Sequence, residues 1–267
     1  MRQTTLSFCV VTLSCVVVSV VLTTSTLGAD WGDLTAKFVF DGTPPAPTAL
    51  AGTNKDGCEK HNLVDESLVV NPQSKGVANV VVFLYTAKGE KAPPVHDSYK
   101  ESEKGNVPLD NEKCRFEPRI VGLRTTQTLL VGNKDTFGHN TNVATFTNQP
   151  QNITIPAGTQ LKYNFPQPET SMAVITCGIH PWMKGYAVIK DHPYIAVSDK
   201  DGLVTIKNLP AGNWTFQLWH ERPGYLTAGT QNGKAVKWER GRVKMDIKAG
   251  ANDMGEIKLS SSTLAQK

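Results

Sequence analysis

Apolar positions along this chain recur every second residue or in short unbroken runs, and no stretch of twelve residues carries the three-to-four spacing of an amphipathic helix. Residues 34–40 (LTAKFVF) alternate in part and run into the turn Asp41-Gly42-Thr43-Pro44-Pro45, which predicts a strand and a loop. Residues 67–70 and 78–85 are β-branched and apolar, the composition of buried strands. Residues 86–107, with Pro93, Pro94 and many charges, read as an exposed excursion. Short strands are then expected at 119–123, 128–132, 151–155, 161–165, 173–176 and 187–190, the third and fourth of them separated by Pro156-Ala157-Gly158-Thr159. Past Lys190 the pattern resumes at 195–198, 203–206 and 214–219, divided by Asp199-Lys200-Asp201-Gly202 and Leu209-Pro210-Ala211-Gly212, and closes with 242–247 and 254–259. The expected fold class is all-β, a sandwich or Greek-key barrel.

Composition changes this picture at the N-terminus. Arg2, the apolar run 6–22 and the small residues Thr26, Gly28 and Ala29 read as a signal peptide over 1–29, which implies a periplasmic or secreted protein. A membrane anchor is the competing reading, but Ser7, Thr12, Ser14 and Ser19 interrupt the run and no basic cluster follows, so no membrane contact is expected after cleavage. Removing that segment takes the formal charge from +4 to +3, with Lys and Arg scattered, which argues against nucleic acid as a partner. Cys9 and Cys15 leave with it, and Cys58, Cys114 and Cys177 stay. In an oxidising compartment three cysteines make one disulfide and one thiol.

The chemistry gathers at Cys177-Gly178-Ile179-His180-Pro181-Trp182-Met183, on a tight connector between two expected strands. A thiol, an imidazole and a thioether three residues apart are soft ligands, and copper tolerates sulfur and nitrogen together. Two histidines, a cysteine and a weak axial methionine make an electron-transfer copper site, and His139 in Phe137-Gly138-His139-Asn140 offers the second imidazole. A Cys-His-His set also suits zinc with an open position, against which the methionine speaks. Covalent haem lacks its second cysteine. With Cys177 flanked by ligand types, Cys58 and Cys114 become the disulfide candidates. His61, His96, His192 and His220 have no matched partner and read as ordinary packed or solvated histidines.

Asn133, Asp135 and His139-Asn140, followed by Cys177-x-x-His180-x-x-Met183, resemble the copper signature of the cupredoxins, with the short ligand-loop spacing of the amicyanin-like members. The likeness covers roughly 114–190. It implies a Greek-key β-sandwich holding one type 1 copper on His139, Cys177, His180 and Met183, with Asn140 pinning the cysteine loop. It also implies electron exchange with a redox protein partner, for which Trp182 beside His180 is a docking candidate, and no catalytic turnover. Thr176 departs from the pattern, because no aromatic residue stands two before the cysteine. Val197-Ser198-Asp199, Asp201-Gly202-Leu203 and Leu209-Pro210-Ala211-Gly212 resemble the carboxypeptidase regulatory-like β-sandwich modules, which are not catalytic.

The expected organisation is therefore a leader over 1–29, a β segment over 30–105, a copper domain over 106–190, a second sandwich over 191–260 and a tail over 261–267. Two arrangements stay open: the opening segment pairs with the C-terminal strands around an inserted copper domain, or two domains simply follow one another. The competing functional reading is a non-catalytic envelope or cell-surface module with a structural or vestigial metal site. Trp214, Trp219 and Trp238 would then recognise carbohydrate or protein.

Overall fold

In the computed structural model, which describes Met1 and residues 30–266, the chain is all-β, with three short 3-10 turns between strands. The leader expected over 1–29, with Cys9 and Cys15, falls outside the described residues apart from Met1. Among the described residues no helix is long and apolar enough to cross a membrane.

Strand Trp31–Asp41 turns Leu34, Ala36, Phe38 and Phe40 to one face, as its alternation requires. It lies antiparallel to Leu203–Pro210 on one side and parallel to Gly250–Ser260 on the other, in a sheet completed by Ala228–Gln231 and Lys234–Lys237. The first strand thus shares a sheet with the last ones. A second sheet, Ile195–Val197, Val81–Leu84 and Gly212–His220 with Gly224–Tyr225 and Arg242–Ile247, packs over that face. Residues of the opening segment therefore contribute to both sheets of this sandwich.

The other sandwich lies between the two in sequence. One of its sheets runs Ile120–Arg124, Lys184–Lys190, Ala173–Thr176, His139–Ala144 and Gln151–Ile155, and the facing sheet runs Arg115–Glu117, Asn106–Glu112, Thr128–Asn133 and Gln160–Asn164. Leu109, Phe116, Leu123, Leu129, Val131, Val143, Ile155 and Phe165 fill the space between them. Each such side chain contributes on the order of 1.5–3 kcal/mol by leaving water.

The unbroken apolar runs are strands buried on both faces. Val82 and Leu84 enter the first core while Val81 and Phe83 face away from it, and Ala187 and Ile189 enter the second while Tyr186 and Val188 face away. The outward residues meet one another, with Ile120 and Trp219, in a third apolar layer that joins the sandwiches. Beside it Arg119 Nε and Nη2 donate to both carboxylate oxygens of Glu221, at 2.6 and 2.8 Å.

Three expectations need correction. Residues 67–70 form no strand, only a bridge from Val70 to Val77. Asp65 Oδ1 accepts from Ser67 N–H, which takes one backbone donor out of any ladder, and Asn71 Oδ1 accepts from the N–H groups of Gln73 and Ser74, which turns the chain directly after Val70. Conversely, Asn106–Glu112 and Arg115–Glu117 are strands although their composition is polar. They sit toward the edge of their sheet, with most outward positions open to solvent, and Val107 and Leu109 lie opposite Leu129 and Val131. The excursion from Thr86 accordingly ends at Gly105. Finally, Trp219 and Trp238 are buried and Trp214 is half-buried against the first core, its Nε1–H donating to Pro210 O, so these tryptophans present no open aromatic platform.

Candidate metal centre

The hairpin Ala173–Thr176 and Lys184–Lys190 pairs Thr176 with Lys184, which leaves residues 177–183 as its closing loop. Met183 N–H donates to His180 O at 2.9 Å and Cys177 N–H reaches Met183 O at 3.4 Å, so the loop folds onto itself and both ends of the Cys177 to Met183 span stay together. Strand His139–Ala144 runs antiparallel alongside, Val143 opposite Ile175 and Asn142 opposite Thr176. Carried two steps further, that register sets Asn140 against Gly178.

Two hydrogen bonds record the juxtaposition. Gly178 N–H donates to Asn140 Oδ1 at 2.9 Å, and Asn140 N–H donates to Cys177 Sγ at 3.4 Å. The backbone thus aims a donor at the one sulfur of the pocket that could bind a metal through its thiolate.

The site is closed. His139, Cys177, His180 and Met183 are each at most 2% exposed, and Cys177 is the free cysteine among the described residues. His139 Nδ1 stands 3.1 Å from His180 Nδ1, and Cys177 Sγ lies 3.9 and 3.8 Å from those two nitrogens. A point equidistant from the three atoms is about 2.1 Å from each, within the 2.0–2.3 Å span of metal bonds to imidazole nitrogen and thiolate. Met183 packs in the same apolar core as Cys177, with Ile179 and Trp182 against it.

The far edge of each ring is occupied as well. His139 Nε2 lies 2.9 Å from Asp135 Oδ2 and His180 Nε2 lies 3.1 Å from Asp56 Oδ2. A carboxylate at Nε2 holds the proton there and leaves the Nδ1 lone pair free, so both imidazoles are set as ligands through Nδ1. Burial pushes the pKa of both histidines below the ordinary 6.5, outweighing the pull of Asp135 on one and Asp56 on the other. At neutral pH both rings are therefore neutral, as ligation requires.

Asp135 is itself held. Burial works against its charge, but Cys114 N–H (2.9 Å), His139 and Lys113 N–H (2.7 Å) outweigh burial, and its pKa ends below the usual value. Asn133 braces the same turn by donating from Nδ2 to Phe137 O and Ile155 O, both at 2.8 Å. Cys114, which donates to Asp135, belongs to the disulfide Cys58–Cys114, the pair expected from cysteine count, whose Cα atoms are 5.8 Å apart.

His180 has no solvent-facing edge. Asp56 closes one side, the half-buried rings of Phe137 and Trp182 stand 5.6 and 5.2 Å from it, and Trp182 Nε1–H donates to Cys114 O at 3.1 Å. His192 and His220 are buried elsewhere, and His61 and His96 lie partly open to solvent. Sequence spacing gave no role to Asp56. It lies 124 positions from its histidine, and the one local sign is the neighbouring Gly57 and Cys58, a turn next to a cross-link.

Fold and site together define an all-β protein with a buried pocket of two imidazole nitrogens and a thiol, a donor set for a metal that accepts both. No family model matches the chain, and no curated protein matches it. Among solved structures it is similar to a copper-containing nitrite reductase from Thermus scotoductus SA-01, at 19% identity over 40% of this chain and TM-score 0.29. That match spans a quarter (25%) of the reductase chain. It is also similar to a purple cupredoxin from Nitrosopumilus maritimus (16% identity, 31% of this chain, 98% of that one, TM-score 0.27) and to a reduced mutant of amicyanin (15%, 40%, 97%, TM-score 0.29). These are partial likenesses of low score, and the functional reading rests on the site's own atoms.

Proposed function

We propose that the chain is an exported electron carrier of the cupredoxin kind, with a single copper held by His139, Cys177, His180 and Met183. The observation that carries this is the triangle of Sγ and two Nδ1 atoms, with both outer nitrogens engaged by carboxylates. Copper bound there would supply a one-electron couple, and the Met183 thioether would tune its potential.

The residues do the rest. Asp135 and Asp56 fix the ring orientations, Asn140 holds Gly178 and with it the cysteine loop, and the hairpin keeps Met183 close to Cys177. His139 and the ligand loop are carried by neighbouring strands of one sheet, which resists a change of ligand geometry, so little reorganisation would accompany a change of charge. The four named side chains would fill the coordination shell, which supports a carrier over an enzyme. Export is supported by the Cys58–Cys114 disulfide, since such bonds persist in oxidising compartments. A redox protein is the partner such a site calls for. The C-terminal turns support a non-catalytic sandwich of the carboxypeptidase regulatory-like type as its companion.

Copper(II) added to the purified chain should produce an intense blue thiolate-to-copper absorption that reductant bleaches and reoxidation restores. Cys177→Ser should abolish it. A band of undiminished strength in that variant would falsify the assignment of the thiolate.

A further inference from the structure

Asp56 belongs to the loop segment 42–66, which precedes both sheets of the metal-site sandwich. It adopts φ 54°, and Gly57 follows at φ 84°, two successive left-handed residues. That conformation costs a non-glycine residue on the order of 1 kcal/mol, so the surroundings must hold it. They do so from three directions. Lys55 Nζ donates to Ile179 O inside the ligand loop at 3.0 Å, Cys58 N–H donates to Lys55 O at 2.9 Å, and Cys58 is cross-linked to Cys114. Cys114 in turn donates to Asp135 and accepts from Trp182.

We infer that Asp56 is a positioning residue for His180: its carboxylate takes the Nε2–H, holds the Nδ1 lone pair toward Cys177 and His139, and closes the outer edge of the ring. This rests on the copper reading above. A carboxylate charge beside the outer N–H makes the imidazole a stronger donor and favours the more highly charged copper state. The segment thus sets the potential as well as the shape of the site.

The orientation can be read without metal. In the metal-free chain, nitrogen chemical shifts of the His180 ring at neutral pH should report a single Nε2–H tautomer, and Asp56→Ala should give a tautomer mixture. With copper loaded, Asp56→Asn keeps an acceptor of the same shape and removes the charge. It should shift the Cu(II)/Cu(I) ratio at fixed ambient potential about tenfold toward Cu(I), equivalent to about 59 mV for one electron. Asp56→Ala should weaken Cu(II) binding by about 10–100-fold, the usual consequence of losing a ligand's hydrogen-bond partner. Asp56→Glu should recover part of the loss. Glu59→Gln removes the same charge from an exposed position of the same loop and should leave potential and affinity within about threefold of the parent.

Parent-like tautomer, affinity and potential in both Asp56→Ala and Asp56→Asn overturn the inference. So does a Glu59→Gln shift as large as that of Asp56→Asn, which would assign the effect to the net charge of the loop. If Asp56→Ala does not fold, the isosteric Asp56→Asn decides. Should the parent chain form no blue site, the electron-carrier reading fails by itself, and the metal-free tautomer still tests the hold on His180.

Discussion

Asn140 shows how much one position can carry. Its backbone N–H serves Cys177 Sγ, its Oδ1 takes Gly178 N–H, and its Nδ2 bonds Asn152 Oδ1 on the next strand. Asn140→Ala keeps the first contact and deletes the other two. Water can replace the lost acceptor of the exposed Gly178 amide, so losing this bond costs about 0.5–1.5 kcal/mol. A lower melting temperature and faster copper release to a chelator are the expected results, with the blue band retained. On the copper reading, Met183→Leu should also stay blue, since the thiolate is untouched, while its potential rises because the proposed thioether donor is lost; voltammetry reads this directly. The residue types at 177, 180 and 183 were legible in sequence because soft-ligand chemistry is a property of side chains and the spacing is local. Asp135 was legible only as a letter in a pattern. Its work, joining Cys114 to His139, depends on a turn that Asn133 closes.

At the scale of elements, the hairpin carrying residues 177–183 was readable from its apolar runs, and its neighbour His139–Ala144 was not. That strand reads His-Asn-Thr-Asn-Val-Ala, polar through its first four residues and buried at His139, Thr141 and Val143, because its inward face is given to the site and to hydrogen bonds. Tyr163 Oη donates to Thr141 O and Asn111 Nδ2 donates to Thr141 Oγ1, so partners elsewhere satisfy what hydrophobicity cannot explain. The segment 42–66 is the opposite case, long and nearly without ladder bonds. The Cys58–Cys114 bond anchors it across a separation of 56 residues. Replacing both cysteines by serine should cost about 4 kcal/mol by releasing a loop of that length in the unfolded chain. A fall in the urea midpoint of the oxidised protein, matched by adding thiol reductant to the parent, is the expected signature.

On the scale of the whole molecule, two sandwiches share an apolar layer, and buried histidines near it make the fold acid-sensitive. Burial, helped by the charge of Lys190, holds His192 down to about 4, and burial with Arg222 and Arg119 does the same to His220. In the unfolded chain both titrate near the ordinary 6.5. The unfolded state therefore binds more protons between those values, so stability is fully present above about pH 6.5 and drains as pH falls toward 4, by roughly 3 kcal/mol per histidine at most. Denaturant midpoints measured from pH 7.5 to 4 should decline through that window. His192→Gln and His220→Gln together should flatten the curve, and an unchanged slope in that double variant would count against buried neutral imidazoles.

Chain order alone determined the all-β character, the odd thiol and the kind of atom offered at residues 177, 180 and 183, because alternation and side-chain chemistry are local. Which chain segments meet was decided only in three dimensions. The pairing of Trp31–Asp41 with Gly250–Ser260, the placing of His139 beside Cys177 and the reach of Asp56 to His180 all depend on strand register and on apolar layers summed over the whole chain. No single residue or short window encodes those terms, since each contact is the small residue of many burial and entropy contributions that balance only in the finished fold.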